Sequence, residues 1–242
     1  MSTDSPPINL THHFLIAMPG LNDENFNRSV VYLCEHSERG ALGLVINKPS
    51  ELGMRDLFQK VDLNLSRDDL ARQPVLQGGP VHTERGFVLH ESMRPAMAIG
   101  SGQLEPAVAA TDLLAQGAGA NPGADSDTPA DAGPDTEHEA GHEVGGVYAS
   151  TLAIPGGLEM TTSRDVLEAL SNGAGPRKVL ISLGYAAWGQ GQLESEIAEN
   201  SWLTVGADPQ VIFDTPIEER YERALSLLGL QSWMLAPDAG HA

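Results

Sequence analysis

The sequence predicts a mixed α/β domain of the α+β type, with antiparallel hairpins, a partly barrel-like mixed sheet and flanking helices. The first observation is the segment 30–49, where two apolar runs are joined by four residues that end in Gly40. The second is a C-terminal half in which short apolar runs alternate with helix-start signals. The third is an acidic segment, 101–145, whose composition excludes it from a core.

Composition sets the expected domain boundaries. Residues 101–145 hold nine acidic side chains, no lysine or arginine and no aromatic residue. Such a segment cannot bury enough apolar surface to offset the entropy of ordering. We therefore expect a flexible tail over residues 1–8 and a single domain over residues 9–242, interrupted by a disordered acidic insertion at 101–145.

The N-terminal half contains further strand and helix signals besides the hairpin. Residues 13–18 form a short apolar run that Pro19-Gly20 ends, which is typical of a strand. Apolar residues at helical spacing predict a helix over residues 54–61. Apolar runs also predict strands at residues 74–77 and 87–90.

The C-terminal half alternates strands and helices. Thr162 or Ser163 is expected to cap a helix that runs to residue 170, with Asp165 in the capping-box position. Thr215 followed by Pro216 marks another helix start. A further helix is expected over 192–200, and strands are expected over 148–154, 158–161, 179–183, 202–205, 210–213 and 231–236.

The charge balance argues against two classes of partner. The chain has 33 acidic and 14 basic residues, a formal net charge of −19. This charge repels phosphate backbones and anionic lipid headgroups. We expect no direct nucleic-acid binding and no membrane association, and no apolar stretch approaches the roughly twenty residues of a membrane-spanning helix.

Cysteine usage and the N-terminal residues indicate a compartment. The single cysteine, Cys34, cannot form an internal disulfide, and the first residues show neither a basic nor an apolar signal-peptide region. We therefore expect a reducing, cytoplasmic location.

The most specific pattern match on the chain is H-E-x-x-H, between His138 and His142. In metalloproteases the two histidines share a helix face and ligate zinc. Here Pro134 precedes the match, Gly141 lies inside it, and no surrounding core would hold a helix. We therefore expect neither a metal centre nor a cofactor.

The hairpin itself carries two reactive residue types. Cys34 and His36 are two residues apart on a strand, so their side chains should point to the same face. A thiol beside an imidazole can act as a nucleophile or a redox sensor, whereas a free cysteine is also a common core residue. Cys34 is the candidate redox-sensitive residue, and both interpretations stay open.

Three further segments form a candidate ligand site, although no catalytic set can be assembled from the sequence. The segments are the end of the hairpin, a double-glycine turn, and a helix start rich in hydroxyls. The run 184–191, between a buried strand and a helix, is either an anion-binding loop or a simple turn. The candidate ligand-binding residues are Asn47, Lys48, Gly78, Gly79, Thr161, Thr162, Ser163 and Arg164.

Several motifs, in order along the chain, resemble one family of bacterial proteins. They are residues 12–19, 28–32, Cys34-Glu35-His36, Asn47-Lys48-Pro49, Gly78-Gly79-Pro80-Val81, Arg85-Gly86-Phe87 with His90, residues 161–165, 183–186 with Trp188, 191–194 and Gly240-His241-Ala242. Together they resemble the AlgH/YqgE family over residues 9–98 and 147–242. Typical members lack the segment 101–145, so the resemblance implies nothing about it.

The resemblance implies no settled enzymatic activity and no cofactor, and a transcriptional-regulator label accompanies the family. We predict a non-catalytic cytoplasmic regulatory or ligand-binding protein, an indirect transcriptional regulator being one form of that role. Its partner would be an unidentified protein or small molecule. The alternatives are an enzyme or redox-responsive protein with a pocket near the Cys34 and His36 hairpin, and, least favoured, a direct DNA-binding regulator.

Overall fold

A computed structural model describes residues 9–21, 23–93 and 147–235. The predictions for the tail, for the acidic segment 101–145 and for the H-E-x-x-H match lie outside these residues. Within them the strands are β1 (His13–Ala17), β2 (Val30–Ser37), β3 (Gly40–Val45), β4 (Pro49–Gly53), β5 (Pro74–Gln77), β6 (Val81–Glu91), β7 (Thr151–Ile154), β8 (Leu158–Thr161), β9 (Val179–Trp188) and β10 (Trp202–Gly206).

The strands form one curled, half-barrel sheet in the order β10-β1-β2-β3-β9-β6-β8-β7, with β5 joining β9 and β4 joining β5. All pairs are antiparallel except β5 with β9. The described residues also form α1 (Met54–Lys60), α2 (Arg164–Ser171), α3 (Gln192–Ala198), α4 (Pro209–Phe213) and α5 (Arg220–Ser226), with 3₁₀ turns at Leu70–Arg72, Ile217–Glu219 and Ser232–Leu235. The predicted α+β class is confirmed.

Both faces of the curled sheet are covered. One face packs on α4 and α5 through a cluster that includes Tyr32, Leu44 and Tyr221. The other face packs on α3 at one end and on α1 and α2 at the other. Each large apolar side chain buried in this way contributes about 1.5–3 kcal/mol relative to exposure.

The hairpin between β2 and β3 has the predicted form. Ser37 pairs with Gly40 at the turn, and β3 is buried along almost its whole length. Gly40 has a φ of 131°, and a Cβ at this position would lie 2.2 Å from the carbonyl oxygen of Trp188. Only glycine fits there.

Two element predictions are wrong, and one strand is confirmed but longer than predicted. The strand predicted over 179–183 continues to Trp188 as the ten-residue β9. Residues 210–213 belong to helix α4, because Asp208 accepts a hydrogen bond from the backbone N–H of Gln210 and Pro209 occupies the first turn. The strand predicted over 231–236 is the 3₁₀ turn at Ser232–Leu235, and residue 236 lies outside the described part.

No helix within 9–21, 23–93 and 147–235 is long and apolar enough to cross a membrane.

Candidate functional site

Cys34 and His36 lie on opposite faces of β2. Leu33 pairs with Gly43, Glu35 with Leu42 and His36 with Ala41, so Cys34 is the extra residue of a β-bulge. A bulge shifts the alternation of side chains by one residue. The prediction that the two side chains share a face is therefore wrong.

Cys34 is part of the core cluster that contains α4 and α5. Its side chain is 2% exposed, and its Sγ lies 3.8 Å from the carbonyl oxygen of Tyr32. Burial raises the pKa of the Cys34 thiol, and Glu35 adds to the increase. These surroundings favour the thiol over the reactive thiolate.

His36 holds the N-terminal chain against the sheet. Its Nδ1 accepts a hydrogen bond from the backbone N–H of Leu10 at 2.9 Å. The proton of the neutral ring therefore sits on Nε2, which donates to the Oε1 of Glu194 on α3 at 2.9 Å. The imidazole thus links β2, the chain before β1 and a helix.

Asn47 and Lys48 bind the loop that precedes β2. The Oδ1 of Asn47 accepts from the backbone N–H of Val30 and its Nδ2 donates to the carbonyl of Arg28, both at 2.8 Å. The Nζ of Lys48 donates to the carbonyl of Asn25 at 2.6 Å, and burial lowers the pKa of this lysine. Both side chains therefore have partners within the fold.

Gly78 and Gly79 cross β9 at very short range. A Cβ on Gly78 would lie 2.2 Å from the carbonyl oxygen of Gly184, and one on Gly79 would lie 2.3 Å from the carbonyl carbon of Tyr185. Residues 184–188 are part of β9, so they do not form the anion-binding loop that was one interpretation of the run 184–191. The two glycines therefore allow the turn between β5 and β6 to pack directly against the main chain of β9.

Thr161 is fully buried and bonded to His90, which is also buried. The Nδ1 of His90 lies 2.8 Å from the carbonyl of Glu91 and must donate to it. Its Nε2 then accepts from the hydroxyl of Thr161 at 3.0 Å, and the hydroxyl of Thr151 lies 2.8 Å from that of Thr161. This network joins β6, β7 and β8.

The helix start after β8 is not a capping box. Ser163 is the N-cap of α2, but its hydroxyl donates to the carbonyl of Ala149 at 2.6 Å and caps no backbone N–H of the helix. The backbone N–H of Thr162 donates to the carbonyl of Ser150, and Arg164 pairs with Glu168 on the exposed side of α2 at 2.9 Å. The predicted role of Thr162 and Asp165 as a capping pair is wrong.

The structure gathers a different set of residues around an open groove of about 630 Å³, which we call the Arg220 groove. It lies where β5 and β9 meet the chain between α4 and α5. Of the predicted site residues, only Asn47 lines it. The lining residues are Asn47, Pro49, Arg72, Gln73, Pro74, Leu76, Val179, Leu180, Ile181, residues 212–218 and Arg220.

Arg220 is the buried charge of this groove, with 7% of the residue exposed. Its Nε donates to the carbonyl of Thr215 at 3.1 Å, and its Nη1 donates to the carbonyl of Ile46. Burial lowers the pKa of the Arg220 guanidinium to about 10, while exposed Glu218 acts in the opposite direction. The cation is thus held by neutral carbonyls.

The rim of the Arg220 groove carries both signs of charge. Arg72 and Gln73 are exposed, and their side chains have no hydrogen-bond partner among the described residues. Asp214 pairs with Lys178 at 2.6 Å. Among the described residues, the rim therefore includes one guanidinium, that of Arg72, without a hydrogen-bond partner.

The sequence contains one pattern that indicates a buried role for Arg220, although its charged neighbours favour an exposed one. Glu218, Glu219 and Glu222 surround it, which is typical of a solvated helix face. Yet Arg220 lies three residues after Ile217 and four before Ala224, on the apolar stripe of the helix. A charged residue on a buried stripe is the pattern that indicates a site.

Comparison with known proteins decides the family. A family model described as AlgH-like matches residues 14–121 and 131–233, most of the chain. The chain belongs to the AlgH-like family.

Relatives of this AlgH-like protein match it along its entire length. A UPF0301 protein of Paracidovorax citrulli is 64% identical over 242 residues, and one of Polaromonas sp. is 62% identical, each alignment covering all of both chains. These alignments run through residues 101–145. These relatives therefore share a segment at this position, and the interpretation of 101–145 as a disordered acidic insertion relative to typical family members stays a prediction.

Two solved structures share the fold. The AlgH protein from Pseudomonas aeruginosa is 40% identical and covers all of both chains, with a TM-score of 0.62. A protein from Corynebacterium diphtheriae is 16% identical, covering 92% of this chain and 89% of its own, with a TM-score of 0.53. The second likeness shows the fold alone.

No group of three or more His, Cys, Asp or Glu side chains in the described part of this AlgH-like chain is placed to hold a metal ion.

Proposed function

We propose that this AlgH-like protein is a non-catalytic, cytoplasmic regulatory protein that binds a small anion in the Arg220 groove. The observation that supports this proposal is the buried guanidinium of Arg220 in the groove wall. Among the described residues, this guanidinium donates hydrogen bonds only to carbonyl oxygens. The lone, unpaired cysteine supports the compartment.

Arg220 is a buried guanidinium that makes no ion pair among the described residues, a costly arrangement that the exposed Glu218 offsets only in part. Taking a charge out of water costs several kcal/mol unless an opposite charge and hydrogen bonds compensate. Arg220 uses two of the five N–H groups of an arginine, and the other three have no hydrogen-bond partner among the described residues. A ligand anion would supply the missing charge and accept those hydrogen bonds.

The position of Arg220 connects ligand binding to the rest of the fold. Its guanidinium joins α5 to the end of β3, and the segment between α4 and α5 forms one wall of the groove. The chain beyond α5 exposes large apolar side chains, with Trp233 64% and Met234 43% exposed. Exposed apolar patches are typical of protein contacts, which is compatible with an indirect regulator.

Thermal unfolding of the full chain in acetate, phosphate and chloride tests this proposal. We expect a carboxylate or phosphate to raise the melting temperature of the wild type at constant ionic strength, because a ligand of the native state stabilises it. Arg220→Lys should lose most of that increase. Arg164→Lys is the matched control, since Arg164 is exposed on α2 and lies outside the groove. Equal increases in both variants would contradict the proposal.

A further inference from the structure

We infer that the anion of the Arg220 groove is an amphiphilic monocarboxylate, with its carboxylate on Arg220 and its aliphatic or aromatic part on the apolar floor. This inference rests on the proposed function and names the chemical class of its ligand.

The floor of the Arg220 groove is apolar. It combines buried aliphatic side chains from β5, β9 and α4 with the half-buried side chains of Phe213, the last residue of α4, and of Ile217. Polar side chains are confined to the rim, apart from Arg220 itself and the half-buried Asn47 and Thr215. The apolar side chains of the floor are those of Leu76, Leu180, Ile212, Phe213 and Ile217, which belong to the cluster that packs on α4 and α5. Val179 and Ile181 also line the groove, but their side chains belong to the cluster on the opposite face of the sheet.

The polar side chains beside Arg220 already make hydrogen bonds within the protein. Both polar atoms of the Asn47 amide bind the main chain, and the hydroxyl of Thr215 donates to the carbonyl of Gln210 at 3.0 Å. These two side chains therefore offer a ligand little further hydrogen-bonding capacity beside the buried guanidinium. A ligand with many hydroxyls would leave polar groups unpaired against the floor.

A single planar guanidinium matches a carboxylate better than a phosphate dianion. Arginine binds a carboxylate through two parallel N–H···O bonds, and one cation balances one negative charge. A phosphate dianion would bring a second charge, for which the groove wall has only the exposed Arg72 at its rim. Charge balance thus favours the monocarboxylate.

The size of the groove fits a molecule of moderate length. Its volume of about 630 Å³ falls within the range of small-molecule sites, about 300–1,000 Å³. Each methylene that moves from water to the floor should strengthen binding by up to about fourfold. Affinity should therefore rise along a series of unbranched carboxylates until the floor is covered.

Calorimetric titration of the full chain with acetate, hexanoate, octanoate, 1-octanol and inorganic phosphate tests the inference. We expect affinity to rise at least tenfold from acetate to hexanoate and again towards octanoate. The alcohol should bind at least tenfold more weakly than octanoate, because it lacks the charge for Arg220. Arg220→Gln should reduce octanoate binding to the level of the alcohol.

A second variant tests the inference in case the Arg220→Gln protein does not fold. Ile217→Thr keeps a β-branched side chain at a half-buried floor position and removes apolar surface, so it should weaken octanoate several-fold and leave acetate unchanged. Leu228→Thr is the matched control, because Leu228 is 37% exposed and lies outside the groove. It should bind octanoate as the wild type does.

The possible results separate the two proposals. Phosphate or acetate could bind in a way that requires Arg220, while affinity does not rise from acetate to octanoate. That result would overturn the monocarboxylate inference and leave the proposed function standing. Binding of octanoate that is equal in wild type and Arg220→Gln, or equal to that of the alcohol, would also overturn the monocarboxylate. No binding of any of these anions would overturn both.

Discussion

The guanidinium of Arg220 donates to the main-chain carbonyl of Ile46, a hydrogen bond between residues 174 positions apart in the sequence. Ile46 follows β3 and Arg220 opens α5, so the contact fastens the C-terminal helix to the central part of the sheet. The same side chain lines the groove. One residue thereby serves both the packing of α5 and the chemistry of the candidate site.

Replacing Arg220 with methionine should lower the free energy of unfolding by about 1–3 kcal/mol. Methionine removes the buried charge and keeps an unbranched side chain, but it leaves the carbonyl oxygen of Ile46 without this donor. Arg220→Ala should cost more, because a cavity adds to the lost hydrogen bonds. Urea unfolding followed by circular dichroism measures both.

Arg164→Met is the control for this pair of variants. Arg164 makes an exposed ion pair with Glu168 on α2, and such pairs contribute about 0.3–0.5 kcal/mol. A loss of stability in Arg164→Met as large as that in Arg220→Met would argue against the structural role of the Ile46 contact.

Cys34 should not react with a thiol reagent in the native protein. Its side chain is 2% exposed and burial raises its pKa, so the thiolate is scarce and inaccessible. Labelling with a chromogenic disulfide at neutral pH should be slow, and full labelling should follow the addition of denaturant. Rapid stoichiometric labelling of folded protein would favour the redox-sensitive interpretation.

The same burial makes the contribution of Cys34 to stability depend on pH. The unfolded thiol ionises near its ordinary pKa of 9.0, whereas the folded thiol keeps its proton. The unfolded state therefore binds fewer protons above pH 9, and the stability of the wild type relative to Cys34→Ala should fall by about 1.4 kcal/mol per pH unit there. Below pH 8 the difference should be constant. A difference that stays constant to pH 10.5 would contradict a buried thiol.

The hairpin shows how far the sequence predicts local structure. Strand runs and the turn at Gly40 were evident, because both follow from residue type and spacing. The bulge at Cys34 could not be predicted in this way, because a single extra residue leaves the apolar pattern of β2 almost unchanged. The faces of Cys34 and His36 depend on that one register shift, so the sequence predicted the residues and missed their geometry.

The candidate site shows a second limit. Asn47, Lys48 and the glycines Gly78 and Gly79 were selected for residue types that bind ligands, yet in the structure they join neighbouring chain segments. The groove forms between elements distant in the sequence, β5, β9 and the start of α5. Such a juxtaposition depends on the topology of the sheet, which local spacing does not specify.

The protein should not be retained on immobilised duplex DNA at low salt. The chain carries a formal net charge of −19, and electrostatic attraction supplies most non-specific binding to DNA. Chromatography at 50 mM and 500 mM sodium chloride, with a basic protein of similar mass as control, measures this. Retention at 50 mM that is lost at 500 mM would favour the direct DNA-binding alternative.

Glu196 on α3 should stabilise the fold through two tryptophans. Its Oε2 accepts the indole N–H of Trp188 at 2.9 Å and that of Trp202 at 2.8 Å, which bonds the helix to β9 and β10. Glu196→Ala leaves two half-buried or buried donors without this acceptor, and an unpaired donor costs about 1–3 kcal/mol. We expect a loss of about 2–4 kcal/mol in unfolding free energy and a changed tryptophan emission spectrum.

The emission spectrum is measured in a Trp233→Phe background, because Trp233 is 64% exposed and would otherwise add the emission of a solvent-exposed indole to that of Trp188 and Trp202. Glu199→Ala is the matched control, since Glu199 is the C-cap of the same helix and its carboxylate accepts one hydrogen bond among the described residues, from the hydroxyl of Ser195 at 3.5 Å. It should leave both stability and emission unchanged.

Because one carboxylate oxygen serves both rings, Glu196→Gln should retain part of the stability through its amide oxygen and fall between the wild type and Glu196→Ala. Equal losses for the glutamine and alanine variants would show that the negative charge, and not the acceptor atom, stabilises this contact.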